Sequence, residues 1–311
     1  MKVTWGLENA THNPKTVTTL GSYDGIHRGH QHILRRLVET KQERGLDRAV
    51  LLTFHPHPQE VLQRNNSSIE LLTSIEERLD LISDQGIDEA VVIRFSREFA
   101  QTSYIDFFRE IIANRLGTKA MVVGFNHAFG KNREGDAAHL KSLAPELGIS
   151  IEEVAPVIYE GTSISSTKIR NALKSAELAN ANAWLGYNYA FSGRVIHGDA
   201  IGRTLGYPTA NLEVNPHKLI PADGVYSATV RVLSAIHGTL GPAYRAALSI
   251  GTRPTTHDNG ARAIEALLLD FDGNLYDKTI TVECLRYLRP QEKYTSLDAL
   301  KAAIARDVAA L

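Results

Sequence analysis

Cysteine is nearly missing from this chain: Cys284 is the single one in 311 residues. One thiol cannot close an internal disulfide, so the fold must rest on packing and hydrogen bonds, and the composition suits a reducing compartment. Cys284 itself reads as a small buried hydrophobe. Long apolar runs are missing as well. No stretch approaches the roughly 18 uncharged apolar residues of a membrane helix, and Met1 to Pro14 has no apolar run of the signal-peptide kind. A cytoplasmic protein without a membrane partner is therefore expected. An excess of one charge is also lacking: 34 basic residues stand against 35 acidic ones, a net charge of −1. No basic stripe interleaved with aromatics stands out, so nucleic acid is not expected as a partner. The chain has no Gly-Lys-Ser/Thr segment, which excludes a P-loop. Repeats and low-complexity tracts are absent. Asn9-Ala10-Thr11 and Asn66-Ser67-Ser68 match the glycosylation pattern, which means nothing without secretion.

What is present points to two domains, since the length is about twice that of a usual single domain. A hydrophobic content of 43% is enough for two ordinary cores. From residue 16 to about 155, strand-like runs (Thr16 to Leu20, Ala49 to Phe54, Glu89 to Phe95, Lys119 to Gly124, Ile149 to Val154) alternate with helical patterns near 29–44, 74–84, 103–115 and 136–147. That rhythm predicts a parallel sheet flanked by helices, with ligands beyond the carboxyl ends of its strands. After about residue 185 the rhythm changes. Tyr189 to Ile196, Val225 to Val232, Ala243 to Ile250, Ala263 to Leu269 and Thr279 to Leu285 are strand-like, and the links contain Gly, Pro, Asp and Asn. This predicts an antiparallel sheet or small barrel. Leu297, Leu300, Ile304 and Val308 then share one face of a terminal helix capped by Ser296. The stretch Ser165 to Gly186 reads as a helical connection.

The first chemistry-bearing segment is Gly21-Ser22-Tyr23-Asp24-Gly25-Ile26-His27-Arg28-Gly29-His30, between the first strand and a helix carrying Ile33, Leu34, Leu37 and Val38. A helix opening near Gly29 offers unpaired N–H groups and the positive end of its dipole to an anion. His27 and His30 stand beside it as hydrogen-bond donors with an ordinary pKa of about 6.5. The pair could equally cap a helix or bind a metal; three glycines and an Asp in ten residues favour phosphate. Ile164-Ser165-Ser166-Thr167-Lys168-Ile169-Arg170 sets hydroxyls before two cations at a helix start, which alone reads as a Ser cap with a solvated basic turn. Paired with the histidine loop it becomes a second wall of one phosphate site. Val122-Val123-Gly124-Phe125-Asn126-His127-Ala128-Phe129-Gly130 is another strand-to-loop passage, in which Asn126 is placed to touch a ligand, while Phe129 could be plain core.

These segments resemble the bacterial bifunctional riboflavin kinase/FAD synthetase family over nearly the whole chain. Gly21 to His30, Thr53-Phe54-His55-Pro56-His57-Pro58, Gly124 to Gly130 and Ile164 to Arg170 stand where that family carries its adenylylation motifs. Gly198-Asp199-Ala200-Ile201-Gly202-Arg203-Thr204-Leu205-Gly206-Tyr207-Pro208-Thr209-Ala210-Asn211-Leu212 resembles its kinase loop, and Glu265 stands at its catalytic glutamate. Ser249 to Pro254, Asp270 to Tyr276 and Leu288-Arg289-Pro290 are further matches. Three residues depart from the pattern: Tyr23 stands for Phe, His55 for an acidic residue, and His127 for an aromatic.

The resemblance implies a Rossmann-like nucleotidyltransferase domain over 1–184 that makes FAD from FMN and ATP. It implies a riboflavin kinase β-barrel with a terminal helix over 185–311 that makes FMN from riboflavin and ATP. It implies catalytic roles for His27, His30, Arg170 and Glu265. Phosphate-binding roles follow for Gly21, Asp24, Gly29, Ser165, Ser166, Thr167 and Lys168, and for Gly202, Arg203, Gly206, Thr209 and Asn211. Flavin would meet Phe54, Pro56, His57, Asn126, Phe129 and Arg289. Magnesium would be held by Thr209 and Asn211, few protein ligands being usual where the nucleotide phosphates also bind it. Two rival readings share parts of this pattern: a nucleotidyltransferase acting on another phosphorylated acceptor, and a flavin-binding or regulatory protein without turnover.

Overall fold

The computed structural model describes residues 1–62, 69–198, 201–233, 240–252 and 262–311. Asn66-Ser67-Ser68, Asp199-Ala200 and the Arg253-Pro254 end of one family match lie outside the described residues. The chain divides into two compact units, Met1–Ser166 and Thr167–Leu311.

The first unit is a six-stranded parallel sheet in the order β1-β4-β3-β2-β5-β6, formed by Lys2–Trp5, Thr16–Leu20, Arg48–His55, Glu89–Arg94, Thr118–Gly124 and Ser150–Val154 in chain order. Its strands alternate between two cores, as the period of two requires. Leu20, Val50, Leu52, Val91, Ile93, Met121 and Val123 face one core, with Phe107, Phe108 and Ile112 from the segment after Tyr104 and with Leu140 from a helix at Ala137–Leu143. Ala49, Leu51, Ala120 and Val122 face the other, against Leu34 and Leu37 of α1 (Arg28–Glu43) and Ile82 of α2 (Ile75–Ser83). Burial on both faces explains why these strands read as continuous apolar runs.

Strand order decides where this unit can bind a ligand. Successive strands run outward from β2 to β3 and β4, then the chain returns to place β5 on the other side of β2. The reversal point lies between β2 and β5, so the crevice is at their carboxyl ends. The loops leaving those two strands are Gly21 to His27 and Phe125 to His127.

Two details differ from the sequence expectation. The edge strand Lys2–Trp5 is a sixth strand, hidden because three of its four residues are exposed and it has no apolar run. The segment expected as a helix over 103–115 is α-helical at Tyr104–Asp106 and π-helical at Phe107–Arg115. In that wider coil Phe107 and Ile112, five residues apart, turn to the same core.

The second unit opens with α3 (Ser166–Lys174) and α4 (Leu178–Leu185), the expected connection resolved into two helices. It continues into a closed six-stranded antiparallel barrel. Its strands are β7 (Ala190–Ile196), β8 (Ala210–Val214), β9 (Gly224–Leu233), β10 (Leu240–Thr252), β11 (Arg262–Leu268) and β12 (Thr279–Arg289), joined in the order β7-β8-β11-β10-β9-β12. Closure removes the sheet edges. Asn182 of α4 accepts from Tyr189 N–H at 2.8 Å and donates to the Cys284 carbonyl at 3.0 Å, fastening the helix to the barrel. The terminal helix α5 spans Leu297–Ala309 and is capped by Ser296, as its pattern predicts.

Candidate functional site

The loop after β2 is held from several directions. Tyr23 adopts φ 49° and buries its ring, with its hydroxyl 2.6 Å from Thr19 Oγ1. Because Thr19 Oγ1 already donates to the Val122 carbonyl at 2.7 Å, the tyrosine is the donor, and this pair links β2 to β5 at the reversal point. Desolvation raises the Tyr23 pKa, so the phenol stays protonated. The buried Asp24 carboxylate accepts from Leu72 N–H at 3.0 Å, Thr73 N–H at 2.9 Å and Thr73 Oγ1 at 3.1 Å. In this arrangement Asp24 holds the loop against the segment preceding α2. Gly25 follows with φ 87°, and a Cβ there would lie 2.7 Å from Leu72 Cδ1, so both the turn and the close approach require glycine.

His27 is the N-cap of α1. Its Nδ1 accepts the backbone N–H of His30 at 3.3 Å, the place usually taken by a Ser or Asp oxygen. An acceptor Nδ1 fixes the neutral ring in the tautomer with its proton on Nε2. The His30 ring stacks on it with centroids 3.6 Å apart and planes 17° apart, and Tyr23 meets His30 edge-on at 5.0 Å. Burial first, then the charges of His27 and Arg78, hold the His30 pKa well below its ordinary value. Its Nδ1 is buried with no hydrogen-bond partner among the described residues. A stacked imidazole pair, its His30 member held uncharged, thus stands at the positive end of α1.

The segment Thr53 to Pro58 leaves β3 beside this loop, and Thr53 Oγ1 donates to the Ser22 carbonyl at 3.3 Å. Phe54 packs against Phe95 and Phe99, with centroids 5.4 and 6.3 Å away. Phe99 continues to Phe107 at 6.1 Å, and Phe107 to Phe129 at 5.4 Å. Phe54 and Phe129, both expected against flavin, therefore belong to one aromatic chain. Pro56 follows a cis peptide bond and is half-buried, whereas His57 is buried and its Nδ1 accepts from Gln59 N–H at 3.2 Å. Asn126 is exposed at the tip of the loop after β5, next to Phe125, which is 47% exposed.

In the other motif of this half, Ser166 Oγ donates to the Asp24 carbonyl at 2.9 Å. Ser165 and Ser166 close the first unit. Thr167, Lys168 and Arg170 lie in the first two turns of α3 in the second unit, Thr167 and Lys168 exposed and Arg170 half-buried.

In the barrel, Thr209 Oγ1 donates to Glu265 Oε2 at 3.2 Å. Asn211 lies directly opposite Glu265 across β8 and β11, and Ser249 directly opposite it across β11 and β10. Opposed residues project from the same face, so Asn211, Glu265 and Ser249 form a row, which Gln291 extends by donating to Ser249 Oγ at 2.8 Å. A Cβ on Gly198 would lie 2.2 Å from Asn211 Nδ2, and one on Gly202 2.3 Å from the Tyr207 carbonyl. Glycine at these two positions leaves room for the Asn211 amide and the Tyr207 carbonyl. Gly206 turns the chain at φ 85°, and Arg203 reaches the Tyr276 hydroxyl at 3.4 Å, where His197 stacks on the Tyr276 ring at 3.9 Å. Arg289, expected against flavin, forms a two-pronged bond to Asp307 at 2.8 and 2.7 Å, which joins the end of β12 to α5.

Thr209 and Asn211 fit magnesium by donor chemistry: both offer uncharged oxygens, and the Thr209 hydroxyl proton is turned to Glu265, leaving its lone pairs for a cation.

Arg78 escaped the sequence reading. It lies 1% exposed in α2, and its hydrogen bonds reach both the Asp24 anchor and the end of β3. A signal was present, since Ile75, Arg78 and Ile82 share the buried stripe of the helix and an arginine there has to be explained.

A family model described as FAD synthetase matches residues 9–168, and one described as riboflavin kinase matches residues 185–311. The chain is 37% identical over 310 residues to the bifunctional riboflavin kinase/FMN adenylyltransferase of Escherichia coli strain K12, covering 99% of this chain and 96% of that protein. It is 34% identical over 311 residues to the protein of the same name from Pseudomonas fluorescens, covering 100% of this chain and 96% of that one. A crystal structure described as a macrolide-efflux protein from Streptococcus pneumoniae superposes with a TM-score of 0.88 at 29% identity, covering 99% of this chain and 98% of that chain. No helix among the described residues is long and apolar enough to cross a membrane.

Proposed function

The chain belongs to the family of bifunctional riboflavin kinases/FMN adenylyltransferases, and from that membership we propose how its residues divide two ATP-dependent reactions. It phosphorylates riboflavin to FMN and adenylylates FMN to FAD, with ATP as co-substrate of both. We assign FMN formation to residues 185–311 and FAD formation to residues 1–184.

The two reactions ask for different residues. The 5′-hydroxyl of riboflavin is a poor nucleophile at neutral pH, so its phosphorylation needs a base. Glu265 takes that proton as the hydroxyl oxygen bonds to the γ-phosphorus of ATP, and the bond from that phosphorus to the bridging oxygen breaks to release ADP. Thr209 holds the Glu265 carboxylate at 3.2 Å, the observation that carries this assignment. Gly202, Arg203 and Gly206 cradle the ATP phosphates. Magnesium, held by Thr209, Asn211 and those phosphates, would offset the charge on the transferred group.

FAD formation needs no base, because the FMN phosphate is already ionised. One of its oxygens bonds to the α-phosphorus of ATP and pyrophosphate leaves, so the site has to align two anions and stabilise the charge that builds between them. The N–H groups opening α1 near Gly29, the His27 Nε2–H and the His30 ring face that task. Gly21 lets the nucleotide approach the backbone. Ser165, Ser166, Thr167, Lys168 and Arg170 bind the remaining oxygens. Phe54, Pro56, His57, Asn126 and Phe129 receive the flavin.

The test is reciprocal. His30→Ala should lower FAD formation from added FMN by about 100-fold or more while FMN formation persists. Glu265→Ala should do the reverse. Flavins are separated by chromatography after incubation with magnesium and ATP. A folded variant that loses both products, or a wild-type chain that binds flavin and makes neither, would overturn the assignment.

A further inference from the structure

Arg78 is a buried guanidinium, 1% exposed, that makes no ion pair among the described residues. Its bonds are long: Nε to Thr73 Oγ1 at 3.5 Å, Nη2 to the Thr73 carbonyl at 3.5 Å, Nη1 to Thr53 Oγ1 at 3.5 Å and Nη1 to the Phe54 carbonyl at 3.4 Å. A charge kept out of water on four weak contacts is costly. The acid whose field acts on it most is Asp24, and that carboxylate is engaged with Leu72 and Thr73.

The positions it reaches explain its retention. Thr73 Oγ1 donates to Asp24 and accepts the Gly25 N–H at 3.1 Å, so it fixes the turn that delivers His27 and His30. Thr53 and Phe54 end β3, where the segment expected to meet flavin begins. One side chain therefore ties the nucleotide loop to the flavin segment, and its positive field reaches His30, where it adds to burial and His27 in lowering the pKa.

We propose that Arg78 is a positioning residue of the adenylylation site, a buried cation that holds the Gly21–His30 loop against Thr53–Phe54 and sets a positive potential beneath His30 for the anions that react there. The proposal rests on FAD formation occurring at that loop. Its charge is suited to an anionic ligand because Asp24, Glu60, Glu76 and Glu77 act on it without a direct ion pair, and bound phosphate adds negative charge from the side of the loop.

Two substitutions in the full chain separate charge from shape. Arg78→Gln keeps hydrogen-bonding capacity and removes the charge; Arg78→Lys keeps the charge and removes the fork. Circular dichroism and thermal melts score folding, and FMN formation scores the amount of active protein. Arg78→Gln should lower kcat/KM for FAD formation by roughly tenfold or more, the scale on which residues behind an active site act. Arg78→Lys should recover most of it.

The acid limb of the FAD-forming pH profile adds a readout that shape alone would not move. The charged and titratable groups around His30 are His27 from the cap of α1, Tyr23, whose phenol stays protonated and meets the ring edge-on, and Arg78 from α2. Losing the Arg78 charge lets His30 take up a proton more easily, so the limb should move to higher pH in Arg78→Gln and stay in place in Arg78→Lys. Equal losses in both variants with an unmoved limb would show a purely structural residue and overturn the proposal, as would unchanged FAD formation in Arg78→Gln. If Arg78→Gln does not fold, an Arg78→Lys variant that folds but loses FAD formation overturns it too. His30→Ala is run in parallel: if it keeps FAD formation, the site assignment fails rather than the role of Arg78.

Discussion

His127 shows what one substitution in a shared motif does to a site. It stands where the resembled family has an aromatic, and its ring meets Phe129 at 5.4 Å as an aromatic would. The difference is a buried Nε2 with no partner among the described residues, and burial, with a smaller contribution from Arg133, pushes the pKa down to about 4. In the unfolded chain the same ring titrates near 6.5. As pH falls from about 6.5 to about 4, the unfolded state takes up a proton that the folded state refuses. The stability present above that window is lost across it, by at most about 3 kcal/mol for this one group. His127→Phe should therefore flatten the fall in melting temperature between pH 7 and pH 5 relative to the parent chain. Equal slopes in the two proteins would mean that the ring is not held neutral. Such an effect is invisible in sequence, which names the ring but not the partner it lacks. His27 is a similar case: the motif marks it, while the use of Nδ1 as a helix cap, and hence the proton on Nε2, needs the backbone.

At the scale of elements, sequence spoke clearly wherever burial was one-sided or complete. The runs from Thr16, Ala49, Glu89 and Lys119 formed the sheet because both faces of each strand are covered. Elements shaped by their neighbours were silent. Lys2–Trp5 pairs with β4 through its backbone and turns only Thr4 inward, where its hydroxyl donates to Glu89, and Ala210–Val214 reads as motif rather than strand because Asn211 and Glu213 break its apolar residues apart. The kinase loop depends on the same coupling between elements. Gly198 has room for nothing larger while Asn211 holds its place on β8, since a Cβ would overlap the amide at 2.2 Å. Gly198→Ala should shift Asn211 and slow FMN formation by about tenfold or more, a loss typical of a displaced phosphate-site group. FAD formation from added FMN should persist in the same sample. FMN formation at the parental rate would show that the loop relaxes around the methyl group and that Asn211 is not placed by it.

On the scale of the whole molecule, the two reactions are assigned separate residue sets, and the product of one reaction is the substrate of the other. The histidine loop and the flavin segment lie within Met1–Ser166, and the row Asn211, Glu265 and Ser249 lies within Thr167–Leu311. Nothing in either proposed set requires that FMN pass to the adenylylation site of the same chain, because the two sets share no residue. FMN released to solvent should then serve any copy of the protein. Neither His30→Ala nor Glu265→Ala alone should convert riboflavin to FAD, the first stopping at FMN and the second making none. Mixed together with riboflavin, magnesium and ATP, they should form FAD after a lag during which free FMN accumulates, and added FMN should remove the lag. A protein that sequesters FMN should suppress FAD formation in the mixture and in the parent chain alike. Persistent FAD formation by the parent chain under that trap, with none from the mixture, would mean that FMN stays within one molecule and that the two sites act as one.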